Sequence, residues 1–184
     1  MELIREVKQS KIIKSVFIAL IGTILLAISS KIKIPFYPVP MTMQTLVVLF
    51  LGVALGWKLG VATVSLYLFE GIIGLPVFSG SPEKGVGIVY FSGPTMGYLI
   101  GFLFTVFFAG FFKFNKNLLV KFIQLIFSVS FIYIFGIFWL GSLIGWEKPL
   151  FQLGVQPFLL AELFKILIVL FSLSKLKKIN QYLK

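Results

Sequence analysis

The fold class this sequence predicts is an all-α integral membrane protein with six transmembrane helices and both termini cytoplasmic. Two observations predict it. First, 59% of the 184 residues are hydrophobic and only 12% are charged, where a soluble domain carries about 25% charged residues. Second, apolar segments near membrane-crossing length alternate with breaks rich in Gly, Pro and Lys, and the cations are sorted between alternate breaks. The whole chain, 1–184, reads as one transmembrane domain.

A span needs about 17–25 apolar residues. The first is expected over 12–29. Its small residues Ser15, Ala19, Thr23 and Ala27 recur every fourth position and share one face. Such a stripe lets a second helix approach closely, within the chain or from a partner. Residues 30–44 contain Pro35, Pro38 and Pro40, which rule out a regular helix and predict an extended loop. Thr42 is placed to cap the second span. That span is expected over 43–56 and the third over 59–73, separated by a turn at Gly56-Trp57-Lys58. Both are short for a bilayer.

The stretch from Gly71 to Gly101 is dense in glycine and holds Pro76, Pro82 and Pro94. In lipid, irregular backbone persists only where protein buries it or where it lines a cavity. It reads either as the wall and lid of a small-molecule site or as an ordinary external loop. The fourth span is expected over 95–112, the fifth over 118–144 and the sixth over 158–173.

Six spans put both termini on one side. Arg5, Lys8, Lys11, Lys14, Lys58, Lys113, Lys116, Lys121, Lys175, Lys177, Lys178 and Lys184 fall at one set of ends. Only Lys31, Lys33, Lys84 and Lys148 fall at the other. Twelve cations against four orient the first set toward the cytoplasm. The irregular loops 31–41, 75–94 and 145–157 then face outside. This distribution, and no nucleic-acid partner, accounts for the net charge of +11. The basic N-terminus has no cleavage-like site after its apolar run and reads as a retained first span.

Composition also narrows the chemistry. There is no cysteine and no histidine, so disulfides, thiolate metal sites and Ser-His or Cys-His nucleophile pairs are excluded. No phosphate-binding Gly-x-x-x-x-Gly-Lys-Ser/Thr loop occurs, so the chain does not hydrolyse ATP itself. The sequence calls for no catalytic residue, no metal and no cofactor.

Two charges, Glu162 and Lys165, fall inside the sixth span. Each alone costs about 2.5–3.5 kcal/mol near a helix centre. Three residues apart, they share a face and can neutralise one another. The pair is either a self-satisfied brace or the polar floor of a ligand site. Glu162 can accept from N–H groups and Lys165 can donate, a combination suited to an amphoteric ligand. Gln44, Tyr37, Tyr90 and Tyr98 add hydrogen-bonding groups near the same level, and Phe36, Phe78 and Phe91 add aromatic surface. Glu70 closes the third span, where it can meet a backbone donor or Lys84.

The segments "IPFYPVPMTMQTL", "LYLFEGIIGLPVFSG", "SGPTMGYLIGF" and "QPFLLAELFK" resemble, in order and spacing, the BioY family, the biotin-binding S components of energy-coupling-factor (ECF) transporters. The resemblance runs from about Ala19 to Lys165. It implies six helices in a prokaryotic plasma membrane, with biotin held near the external face under the loop that joins the first two spans. It implies a substrate-binding set of Glu162, Lys165, Tyr98, Gln44, Phe78, Ser81 and Tyr37. It implies docking of Ala19, Thr23 and Ala27 on the transmembrane coupling subunit of an ECF module energised by ATP-binding-cassette ATPases. The chain departs from the family pattern in three places. Leu160-Ala161-Glu162 stands where Pro-Gly-Asp is usual, Leu99 stands where some members carry arginine, and "GSPEKGVG" is less glycine-dense than usual. The other function classes left open are an intramembrane enzyme and a ligand-free structural membrane subunit.

Overall fold

A computed structural model describes residues 2–115 and 117–183, with side chains described within 11–115 and 117–182. In chain order its elements are helix α1 (Glu2–Lys31), strands β1 (Lys33–Ile34) and β2 (Met41–Thr42), and helices α2 (Gln44–Ile72), α3 (Ile88–Phe91), α4 (Met96–Phe111), α5 (Leu118–Ile144) and α6 (Leu150–Gly154). A 3-10 turn (Gln156–Phe158) then leads into α7 (Leu159–Leu183). Four stretches are long and apolar enough to cross a membrane: Lys11–Lys31, Gln44–Ile72, Leu118–Ile144 and Leu150–Tyr182. Met96–Phe111 is a shorter apolar helix.

α2 is not one rod. Gly56 has φ 75° and ψ 169°, a conformation open to glycine and strained for residues with a Cβ. The chain reverses there, and the amide of Gln44 in one arm donates to the hydroxyl of Tyr67 in the other at 2.7 Å. At 1.5 Å per residue the arms 44–55 and 57–72 reach only roughly 18 and 24 Å. Both fall short of the ~30 Å hydrocarbon core.

The turn expected at Gly56-Trp57-Lys58 is therefore present. The fifth span coincides with α5. The two terminal helices run further than their apolar segments, because helical hydrogen bonding continues through basic residues once they reach water. Thr42 is not the N-cap of α2. Met43 occupies that position, and the Thr42 hydroxyl accepts only a long bond, 3.4 Å, from the Gln44 N–H. Of the loop expected over 30–44, residues 32–43 are non-helical, as the prolines require, while 30, 31 and 44 belong to the flanking helices. Only β1 and β2 are strands, paired antiparallel with Lys33 opposite Thr42 and Ile34 opposite Met41, and the chain bends at 37–39 between them.

The bundle is knit by glycines where helices touch. A Cβ on Gly97 or Gly101 would collide with the α5 backbone at Phe135 or Ile132, and one on Gly110 with the backbone of Trp57. α4 thus lies flush between α2 and α5. The small stripe of α1 faces inward. Ala19 and Thr23 are buried, Ala27 packs against the core, and a Cβ on Gly22 would press on Thr63 of α2. Here the close approach that small residues permit is made within the chain. The face α1 leaves open is instead large and apolar, with Phe17, Leu20, Ile24 and Ile28 exposed.

Candidate functional site

Glu162 and Lys165 sit in the first two turns of α7, both about 95% buried. Their ion pair, 3.4 Å, is one edge of a larger cluster. Lys165 Nζ donates to the Thr42 carbonyl at 2.8 Å and to Thr45 Oγ1 at 2.8 Å. Thr45 Oγ1 in turn donates to Glu162 Oε2 at 3.1 Å, and the Tyr133 hydroxyl donates to the same oxygen at 3.0 Å. The three ammonium hydrogens are all placed. The second carboxylate oxygen, Glu162 Oε1, is buried with no partner. So is Ser79 Oγ. An unmet buried polar atom costs about 1–3 kcal/mol.

Both residues line a small cavity of about 60 Å³. Its roof is the β1–β2 ribbon, through Val39, Pro40, Met41 and Thr42. Gln44, Tyr90, Thr95, Tyr98, Phe102, Ile132, Tyr133 and Phe158 complete the wall, with Glu162 and Lys165 contributing from α7. The lining is thus apolar and aromatic, with a few fixed polar groups, as small-molecule sites are. The tyrosines are held by backbone carbonyls: Tyr98 donates to Gly154 at 2.9 Å, Tyr90 to Ser79 at 2.8 Å, and Tyr67 to Val77 at 2.9 Å. Burial raises the Tyr90 hydroxyl above the usual tyrosine range, so it stays a donor.

The irregular stretch after α2 is a wall of this cavity through Ser79, Tyr90 and Thr95. Lys31, the last residue of α1, holds it in place. Its ammonium donates to the carbonyls of Pro76, Phe78 and Ser81 at 2.8–2.9 Å, while Ser30 Oγ donates to Val77 O at 2.8 Å. Two residues later the chain enters the ribbon. Roof and wall therefore share one anchor.

Of the residues expected at the site, Glu162, Lys165, Tyr98 and Gln44 lie on the cavity. Phe78 lies behind it, 99% buried, stacked on Tyr90 at 4.7 Å and edge-on to Tyr67 at 5.3 Å. Ser81 is also behind the wall, bonded to Phe78 O and to Lys31. Tyr37 is 90% exposed at the ribbon tip, outside the lining. Glu70 makes no ion pair among the described residues; its carbonyl accepts from the Leu75 N–H. Thr45, Tyr133 and Ser79 line the cavity and Lys31 holds its wall; sequence reasoning singled out none of the four for the site. Thr45 and Ser79 lay within segments already singled out, but Tyr133 is one aromatic in a run of apolar residues and carries no local signal.

The fold and site define an all-helical protein with four helices long and apolar enough to cross a membrane, and a small cavity beside a buried Glu162–Lys165 pair, covered by the β1–β2 ribbon. Comparisons with known proteins resolve the class further. The BioY family model matches residues 4–182, and the chain belongs to that family. It is 34% identical over 152 residues to the probable biotin transporter BioY of Pyrococcus horikoshii, covering 83% of this chain and 89% of that one. It is 32% identical over 161 residues to the biotin transporter BioY of Thermotoga maritima, covering 87% and 94%. Biotin transporter BioY2 of Lactococcus lactis matches at 31% over 178 residues, covering 94% and 95%. The crystal structure of the S-component for biotin from an ECF-type ABC transporter superposes with a TM-score of 0.76 at 28% identity, covering 92% and 93%.

Proposed function

We propose that this chain captures biotin on the outer face of the cell membrane, as the substrate-specific subunit of an ECF-type transporter. The observation that carries this reading is the buried, unpaired Oε1 of Glu162, a residue that lines a small, mostly apolar cavity. Biotin offers ureido N–H groups for that acceptor and an apolar thioether ring for Phe102, Ile132 and Phe158. Because Lys165 has no hydrogen left to donate, the ureido end belongs at Glu162 and the carboxylate tail points away from it, toward the ribbon. The small volume beneath the ribbon supports a ribbon that lifts for entry and release.

Six crossings, with Gly56 dividing α2 into two, return both termini to one side. Support for a cytoplasmic placement is the grouping of Lys58, Lys113, Lys175, Lys177 and Lys178 at the end opposite the cavity. The chain carries no nucleotide-binding loop, so uptake requires a transmembrane coupling subunit and ATP-binding-cassette ATPases. Titration of the detergent-solubilised chain with biotin tests the proposal. Saturable binding of one biotin per chain is expected, and no heat or fluorescence change up to millimolar biotin sinks it.

A further inference from the structure

The end of the bundle opposite the cavity holds a second cleft, of about 450 Å³, lined by Trp57, Phe112, Lys113, Asn115, Lys177 and Asn180 among others. We propose that it binds the headgroup of an anionic phospholipid. Its polar side is cationic. Lys177 Nζ donates to Asn115 Oδ1 at 2.7 Å and more weakly to Phe114 O at 3.4 Å. Phe114 is buried and takes a left-handed conformation, φ 48°, which few residues other than glycine adopt. This anchors the link between α4 and α5, while Lys113 and Asn115 on either side of Phe114 remain exposed. Lys58 lies over the Trp57 ring at 5.4 Å. No carboxylate is among the described residues that line the cleft. The sequence holds no acid at all between Lys84 and Trp146, or after Glu162. The positive charge here is therefore unanswered by α4, α5 or the second half of α7.

Its other side is apolar. Trp57, Phe111 and Phe112 line it, with Phe111 59% exposed, and the exposed Leu118 and Leu119 begin α5 a few residues further along the chain. An inorganic anion would satisfy only the lysines. A phospholipid satisfies both sides, with its phosphate between Lys113 and Lys177 and its acyl chains along α4 and α5. Basic pockets between transmembrane helices on the cytoplasmic side suit such headgroups. This inference rests on the membrane placement but not on biotin recognition, so either can fail alone.

The test compares thermal unfolding of the full chain in detergent with added phosphatidylglycerol, phosphatidylcholine or inorganic phosphate. A ligand that binds only the folded state raises the midpoint. Phosphatidylglycerol is expected to raise it by about 3 °C or more beyond phosphatidylcholine, and phosphate to give less than a third of that shift. The double variant K113Q/K177Q is expected to lose most of the shift, whereas K113R/K177R and the opposite-end control K84Q/K148Q keep it. A cooperative, parent-like unfolding midpoint of each variant without added lipid confirms folding. An undiminished shift in K113Q/K177Q overturns the proposal. So does an equal shift with phosphate alone, which marks a soluble-anion site. A site that responds to an added coupling subunit but not to lipid also overturns it, as a protein interface.

Discussion

At the scale of single residues, one carboxylate carries most of the proposed recognition. Three donors converge on Glu162 Oε2 and leave Oε1 for the ligand. Glu162→Gln replaces a charged acceptor with a neutral amide and removes the counter-charge of Lys165. Lys165→Ala leaves the carboxylate buried without its cation. Each is expected to weaken biotin binding at least tenfold, about 1.4 kcal/mol or more. Thr45→Val is expected to do the same, because Thr45 both receives from Lys165 and donates to Glu162. Titration of the three variants checks this. Parent-like affinity in folded protein would make the pair a structural brace and place the site elsewhere.

At the scale of elements, α1 acts twice. Its small face packs inside the bundle, so Ala19→Trp is expected to overpack the α1–α2 contact. The cost of such an insertion is about 1–3 kcal/mol, and biotin binding should fall together with thermal stability. A variant that loses only assembly with an energising module, with binding and stability intact, would mean the stripe is free to meet a partner. The end of α1 is the second device. Lys31→Met deletes the bonds to three carbonyls of the 76–81 wall while keeping most of the stem. It is expected to speed hydrogen exchange across 76–87 and to raise the biotin dissociation rate several-fold. Unchanged exchange there would show that Ser30 and Tyr67 suffice to hold the wall.

At the scale of the whole molecule, the charge sorting and the cavity lie at opposite ends. A membrane orientation follows that labelling can check. The sequence has no cysteine, so single replacements report without background. Lys84→Cys and Lys148→Cys are expected to react with an impermeant maleimide on intact cells, and Asn117→Cys only after permeabilisation. Reaction of Asn117→Cys from outside would invert the topology.

The sequence by itself determined the all-helical membrane class, the fifth apolar helix, the turn at Gly56 and the ion pair. Each of these is a local property: hydropathy along 118–144, a glycine turn at 56, two opposite charges three residues apart on one helix. It also determined that residues 32–43 are non-helical, since three prolines forbid a helix there. Tertiary structure alone decided what completes the pair. Thr45 stands 117 residues from Glu162 and Tyr133 stands 29 residues away, and only the packing of α2, α5 and α7 brings them to one oxygen. The same holds for side-chain direction. Tyr37, Phe78 and Ser81 are near the site in sequence, yet one points to solvent and two pack behind the wall. Stripes of small residues likewise license close approach without naming the neighbour; the neighbour of Ala19 and Thr23 is α2, because the short hairpin fills the space beside α1.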